Sequence, residues 1–135
     1  KIRDIELRII GRWPSEIQWK AAKTFPPASG ANLANQLRNC HAYINGTKAE
    51  PGAMHYIEGL QCGLPLLYRV GGGGVQEVGK ATGGIEIDED ILSAVEEMKQ
   101  SWNMRRQNVL SHLPSGEKMA FEYLEIIQQL LISRN

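Results

Sequence analysis

Glu50 and Glu58 stand with seven residues between them in "EPGAMHYIE", and a run of four glycines with a further glutamate follows in "GGGGVQEVG", residues 71–79. An ionised carboxylate only accepts hydrogen bonds, and its two oxygens suit two adjacent hydroxyls of a sugar ring. Small residues between the glutamates, Gly52 and Ala53, let a ligand approach the backbone closely. If a helix opens there, the amides of Gly52, Ala53 and Met54 are free donors at its positive end, where a phosphate is favoured. The chemistry on offer is recognition of a ligand with hydroxyls at both ends and phosphate between them.

Several competing chemistries are weaker. The glycines at 71–74 lack the third glycine of the dinucleotide fingerprint, whose place Gln76 takes, so a nicotinamide enzyme is disfavoured and no cofactor is expected. His41, His55, His112, Cys40 and Cys62 match no standard zinc spacing and read as structural residues, with no metal expected. Trp13, Trp19 and Trp102 read as packing groups rather than sugar platforms. Arg12, just after Gly11 at a strand end, is equally an exposed arginine or a contact to phosphate or base.

The elements that must position the glutamates follow from periodicity. Residues 5–10, "IELRII", read as a buried parallel strand closed by Gly11. Pro14 and Ser15 offer a helix start, and Pro26-Pro27 prevents its continuation, leaving one weak helix and then a linker or short strand. From Ser29, Leu33, Leu37 and Cys40 share a helical face, and "HAYING" at 41–46 reads as a strand. "MHYIEGLQCG" at 54–63 repeats the helix, stopped by Gly63 with Pro65 beyond, and "LPLLYRV" at 64–70 is the next strand. "VQEVGKATGGIEI" at 75–87 supplies a turn and a final short strand. Asp88 to Asp90 open a helix at a terminus where negative charge is favoured, with Ile91, Val95 and Met98 on one face. A last helix starts near Ser115, with Met119, Tyr123, Ile126, Ile127, Leu130 and Leu131 as its apolar face.

Consecutive helix–strand pairs predict an α/β fold, a Rossmann-like open parallel sheet with helices on both faces, closing with C-terminal helices. Ligands of such sheets bind outside the C-terminal strand ends, where the segment between 46 and 54 lies. Glu50 falls in the loop just before the helix and Glu58 inside it, eight residues on, at most about 12 Å along the axis, the span of a nucleotide-sugar from hexose to ribose.

The bulk numbers narrow the field. At 135 residues the chain is one domain or a piece of one, short for a complete two-substrate enzyme. Fifteen basic residues balance fifteen acidic ones, so no long-range field is built for a polyanion, and no nucleic-acid partner is expected. No run reaches the roughly 18 apolar residues of a membrane span, and the charged start lacks a signal peptide's apolar core. With two free-thiol cysteines, a cytoplasmic protein is expected.

The run "EPGAMHYIE", continued by "GLQCGLPLLYR" and "GGGGVQEVG", resembles the nucleotide-sugar motif of family-4 retaining glycosyltransferases, which have the two-domain GT-B fold. The likeness extends upstream through "LANQLRNCHAYINGTKAE" and downstream through "GGIEI" and the closing helices. It implies a hexosyltransferase moving a hexose from a nucleotide-diphospho-sugar to a glycan, lipid-linked or small acceptor, without a metal. It implies Glu50 as the catalytic-site contact to the donor sugar, Glu58 as the ribose contact, and Gly52, Ala53 and Met54 as the phosphate-side backbone. Gly71, Gly72, Gly73 and Gly74 with Glu77 correspond to the family's "GG..E" loop beside the donor. Residues 1–135 would be the single donor-binding domain, a fragment lacking the N-terminal acceptor domain and the first βα unit with its diphosphate-clamping Arg and Lys. The full-length enzyme would meet its acceptor through that missing domain and associate peripherally with a membrane. The competing classes are a non-catalytic nucleotide- or sugar-binding module and an α/β protein-interaction domain of the flavodoxin or response-regulator kind. The latter needs acidic or phosphate-loop residues at the first strand end, and Gly11-Arg12-Trp13 offers none.

Overall fold

The structure is a computed structural model that describes residues 4–50, 52, 54–113 and 115–132. It is a small α/β protein with two short parallel sheets and five helices among the described residues. Strand β1 (Leu7–Ile10) pairs in parallel with β2 (Ala22–Phe25), Leu7 opposite Ala22 and Ile10 opposite Phe25. Strands β3 (Tyr43–Asn45), β4 (Leu66–Arg69) and β5 (Ile85–Ile87) form the second sheet in that order. No ladder joins the two among the described residues, so the strands do not form the one continuous open sheet expected from the helix–strand alternation.

Helix α1 (Gly30–Arg38) precedes β3, α2 (His55–Gln61) links β3 to β4, and α3 (Gly74–Ala81) links β4 to β5. Helices α4 (Ile91–Ser111) and α5 (Gly116–Ile132) close the chain. Side chains along a strand alternate between its faces, and β4 shows why "LPLLYRV" has no polar phase. Leu66 and Tyr68 join Tyr56, Leu60, Val75 and Val109 in one cluster, while Leu67 joins Ile85, Ile87, Ala94 and Met98 in another. The central strand is apolar on both sides because both sides are core.

Helix α4 is capped by Asp90, whose carboxylate accepts from the amides of Leu92 and Ser93 at 2.9 and 3.2 Å. Its side chains then reach the N-terminal ends of the strands. Trp102 Nε1 donates to the His41 carbonyl at 2.6 Å, just before β3, and Arg105 donates to the carbonyls of Gly83 and Gly84, just before β5. The opposite, C-terminal ends of β3 and β4 are left to their connecting loops.

Four expectations are corrected. Strand β1 exists and is parallel, but none of its residues is buried and Leu7 is exposed, because its only strand partner among the described residues is β2. No helix forms between β1 and β2 among the described residues. Of the linker or short strand expected to follow it, the strand forms, as β2 over residues 22–25 before Pro26-Pro27. The stretch expected as a turn after the glycines is helix α3: Val75, Val78, Gly79 and Thr82 recur at helical spacing, and Val75, Gly79 and Thr82 are buried. Finally, α5 forms over the expected residues but buries none of them.

Candidate functional site

The site is built where the chain leaves β3 and β4. Asn45, buried at the end of β3, accepts the Thr47 amide on Oδ1 at 2.8 Å, a side-chain-to-backbone turn that lifts the chain away from the sheet. Ala49 then adopts φ +52°, a left-handed conformation that costs a residue bearing Cβ on the order of 1 kcal/mol. The offsetting contacts lie in the glycine loop. The Ala49 amide donates to the Gly71 carbonyl at 2.8 Å, the Glu50 amide to Gly72 at 3.1 Å, and the Gly74 amide to the Glu50 carbonyl at 3.1 Å. These bonds make Glu50 and Gly73 a parallel bridge outside the named strands.

Glycine is required in that bridge. Gly73 has φ +69°, and a Cβ there would stand 2.5 Å from the Glu50 carbonyl oxygen. At Gly72 a Cβ would stand 2.7 Å from Val75 Cγ1 and 2.9 Å from the Arg69 carbonyl oxygen. The bridge fixes Glu50 at the strand ends with its side chain 18% exposed.

Glu58 belongs to the next element. Helix α2 buries Tyr56, Gly59 and Leu60 and leaves Glu58 exposed. Gly59 sits against the Tyr43 ring, where a Cβ would lie 2.6 Å from Cδ2, so the close approach of α2 to β3 depends on a missing side chain. Beside Glu50 stands an aromatic pair absent from the sequence reading. Tyr43 Oη lies 3.0 Å from His55 Nδ1, the two rings stack at 6.0 Å, and His55 Nε2 lies 3.9 Å from Glu50 Oε2. Burial, reinforced by the charge of Glu58, raises the Tyr43 phenol above its ordinary range. Tyr56 is raised likewise, first by burial and then by Glu50 and Glu77.

Glu50, Gly71, Gly72, Gly73 and Gly74 thus come together, with Glu77 in the first turn of α3. Gly52 is exposed with φ +151° and Met54 is 67% exposed, both before the first residue of α2, while Ala53 lies outside the described residues. Glu50 lies in the loop before α2, as expected, and is tied there to the glycine loop. His41 and Trp102 are in edge contact at 5.4 Å, whereas His55 stands against Tyr43 and Glu50. Its only sequence signal is the spacing of three residues to Glu58 on a helix. Arg12 and Trp13 line an open depression of about 580 Å³ at the C-terminal ends of β1 and β2, with Gly11, Thr24, Phe25 and Pro26. Among the described residues no three His, Cys, Asp or Glu side chains are grouped to hold a metal ion, and no helix is long and apolar enough to cross a membrane. No protein-family model, curated protein or solved structure matches the chain.

Proposed function

We propose that the chain is the donor-binding domain of a retaining glycosyltransferase of the family-4 type, which holds a nucleotide-diphospho-sugar along the C-terminal ends of a Rossmann-like parallel arrangement. The observation that carries this reading is the Glu50–Gly73 bridge. Two sequence segments that the resemblance assigns to one donor site are hydrogen-bonded to each other at the strand ends, with a partly buried carboxylate between them.

In this reading Glu50 accepts from hydroxyls of the hexose, and Glu58, exposed on α2, accepts from the ribose diol. The backbone at Gly52 and Met54 faces the diphosphate, and Arg12 at its depression offers a guanidinium to base or phosphate. The reaction breaks the bond between the anomeric carbon and the diphosphate oxygen and forms one to an acceptor hydroxyl oxygen with retention of configuration, the hydroxyl proton passing to the departing nucleoside diphosphate. Fixed donors around the departing diphosphate would supply most of the rate, as preorganised electrostatics does in general. Such an enzyme would be a cytoplasmic hexosyltransferase that meets a glycan or lipid acceptor through a further domain.

Calorimetric titration with UDP, GDP and ADP, each with and without hexose, tests the reading. One nucleotide is expected to bind, and Glu58→Ala to weaken it by about 1–3 kcal/mol through lost hydroxyl hydrogen bonds. Absence of binding by every nucleotide at millimolar concentration, in the full-length protein as well, would overturn it.

A further inference from the structure

His55 has no role in the reading above, yet it stands beside Glu50. It is half-exposed at the first position of α2, its Nδ1 3.0 Å from the Tyr43 hydroxyl and its Nε2 3.9 Å from Glu50 Oε2. The charged and titratable groups around it are Glu50 from the β3 loop, Tyr43 from β3, and Tyr56 and Glu58 from its own helix.

Which ring nitrogen carries hydrogen follows from these neighbours. Were neutral His55 protonated only on Nδ1, a bare nitrogen lone pair would face the Glu50 carboxylate, an unfavourable pairing of two acceptors. With Tyr43 O–H donating to Nδ1, the hydrogen sits on Nε2 and faces Glu50. In the imidazolium both nitrogens carry hydrogen, so an N–H faces Glu50 in either charge state. The 3.9 Å gap is an ion-pair distance, longer than a hydrogen bond.

We propose that Tyr43 and His55 are positioning residues for Glu50: the Tyr43 hydroxyl fixes the His55 tautomer, and the Nε2–H orients the carboxylate by engaging Oε2, leaving Oε1 to accept from the donor sugar. This rests on the donor-site reading, but the arrangement itself is measurable without ligand. The order Tyr43, His55, Glu50 is a relay of orientation, with no proton transferred.

Long-range ¹H–¹⁵N correlation of the imidazoles in the whole chain reads the tautomer directly. The expected pattern is Nε2–H for His55 at neutral pH, drifting toward a mixture in Tyr43→Phe, which keeps the ring against Gly59 and removes only the hydroxyl. Glu50→Gln is expected to move the His55 nitrogen shifts. Titration then separates the sugar end from the rest: Tyr43→Phe and His55→Ala should weaken the nucleotide-sugar about 3–10-fold and the matching free nucleotide about twofold or less. His55→Gln, which retains an N–H donor, should recover part of the loss. A dominant Nδ1–H tautomer, nitrogen shifts indifferent to Glu50→Gln, or equal losses for nucleotide and nucleotide-sugar would overturn the proposal. If no nucleotide binds even the wild type, the donor-site reading fails and the proposed sugar role of Glu50 falls with it; the imidazole spectrum still decides whether the Tyr43–His55–Glu50 arrangement exists.

Discussion

Gly73 concentrates two constraints in one residue. Its positive φ and the 2.5 Å approach of the Glu50 carbonyl to an added Cβ mean that Gly73→Ala must both strain the backbone and push the two loops apart. The expected cost is about 1–3 kcal/mol, read as a lowered urea midpoint with an unchanged slope. The buried and partly buried phenols make a second prediction. Tyr43, Tyr56 and Tyr68 are all raised chiefly by burial, so the native state holds these protons more tightly than the unfolded chain does. Stability from this source is complete below the ordinary tyrosine value of 10.0 and is lost as pH rises through the higher native values. Urea midpoints should therefore decline as pH rises above 10.0, and Tyr43→Phe should decline less steeply; identical declines would remove Tyr43 from the account.

Helices α3 and α4 show what sequence patterns carry and what they hide. The Asp88 to Asp90 cluster announced the start of α4, and Asp90 caps it, so Asp90→Ala should cost about 1 kcal/mol in thermal or urea unfolding. Gly63, a helix stop in the sequence, holds φ +79° after α2. The strand elements and α1, α2, α4 and α5 were legible because their periodicities are long or cleanly stopped. Helix α3 was not, because it is eight residues long, starts inside a glycine run and has Gly79 on its buried face. That glycine is a tertiary requirement: a Cβ there would overlap the Tyr68 ring, a contact no local pattern predicts. Val75, fully buried in the same helix, should cost about 2 kcal/mol as Val75→Ala. Glu50, Glu58 and the glycines could be singled out from spacing, whereas His55 could not, since its meaning depends on a hydroxyl from β3 and a carboxylate from a loop.

Across the whole molecule, burial is unevenly shared. Both clusters of buried residues gather around β3, β4, β5 and the helices α2, α3 and α4, whereas β1, β2 and α5 have no fully buried side chain. A chain ending at residue 113 should therefore unfold within a few degrees of the intact one, and it should bind less of a hydrophobic dye, because α5 carries Phe121, Tyr123, Leu131 and Ile132 at 61–75% exposure. A large drop in midpoint would show that α5 supports the core. The Glu50–Gly73 bridge has a consequence of a different kind, for the lengths of the loops. Connections in α/β proteins usually accept insertions freely, one loop without regard to another. Here the segment leaving β3 and the segment leaving β4 are held in register by three consecutive backbone bonds. A residue added between Asn45 and Glu50 would slide the carboxylate out of step with its glycines, so the two loops can change length only together.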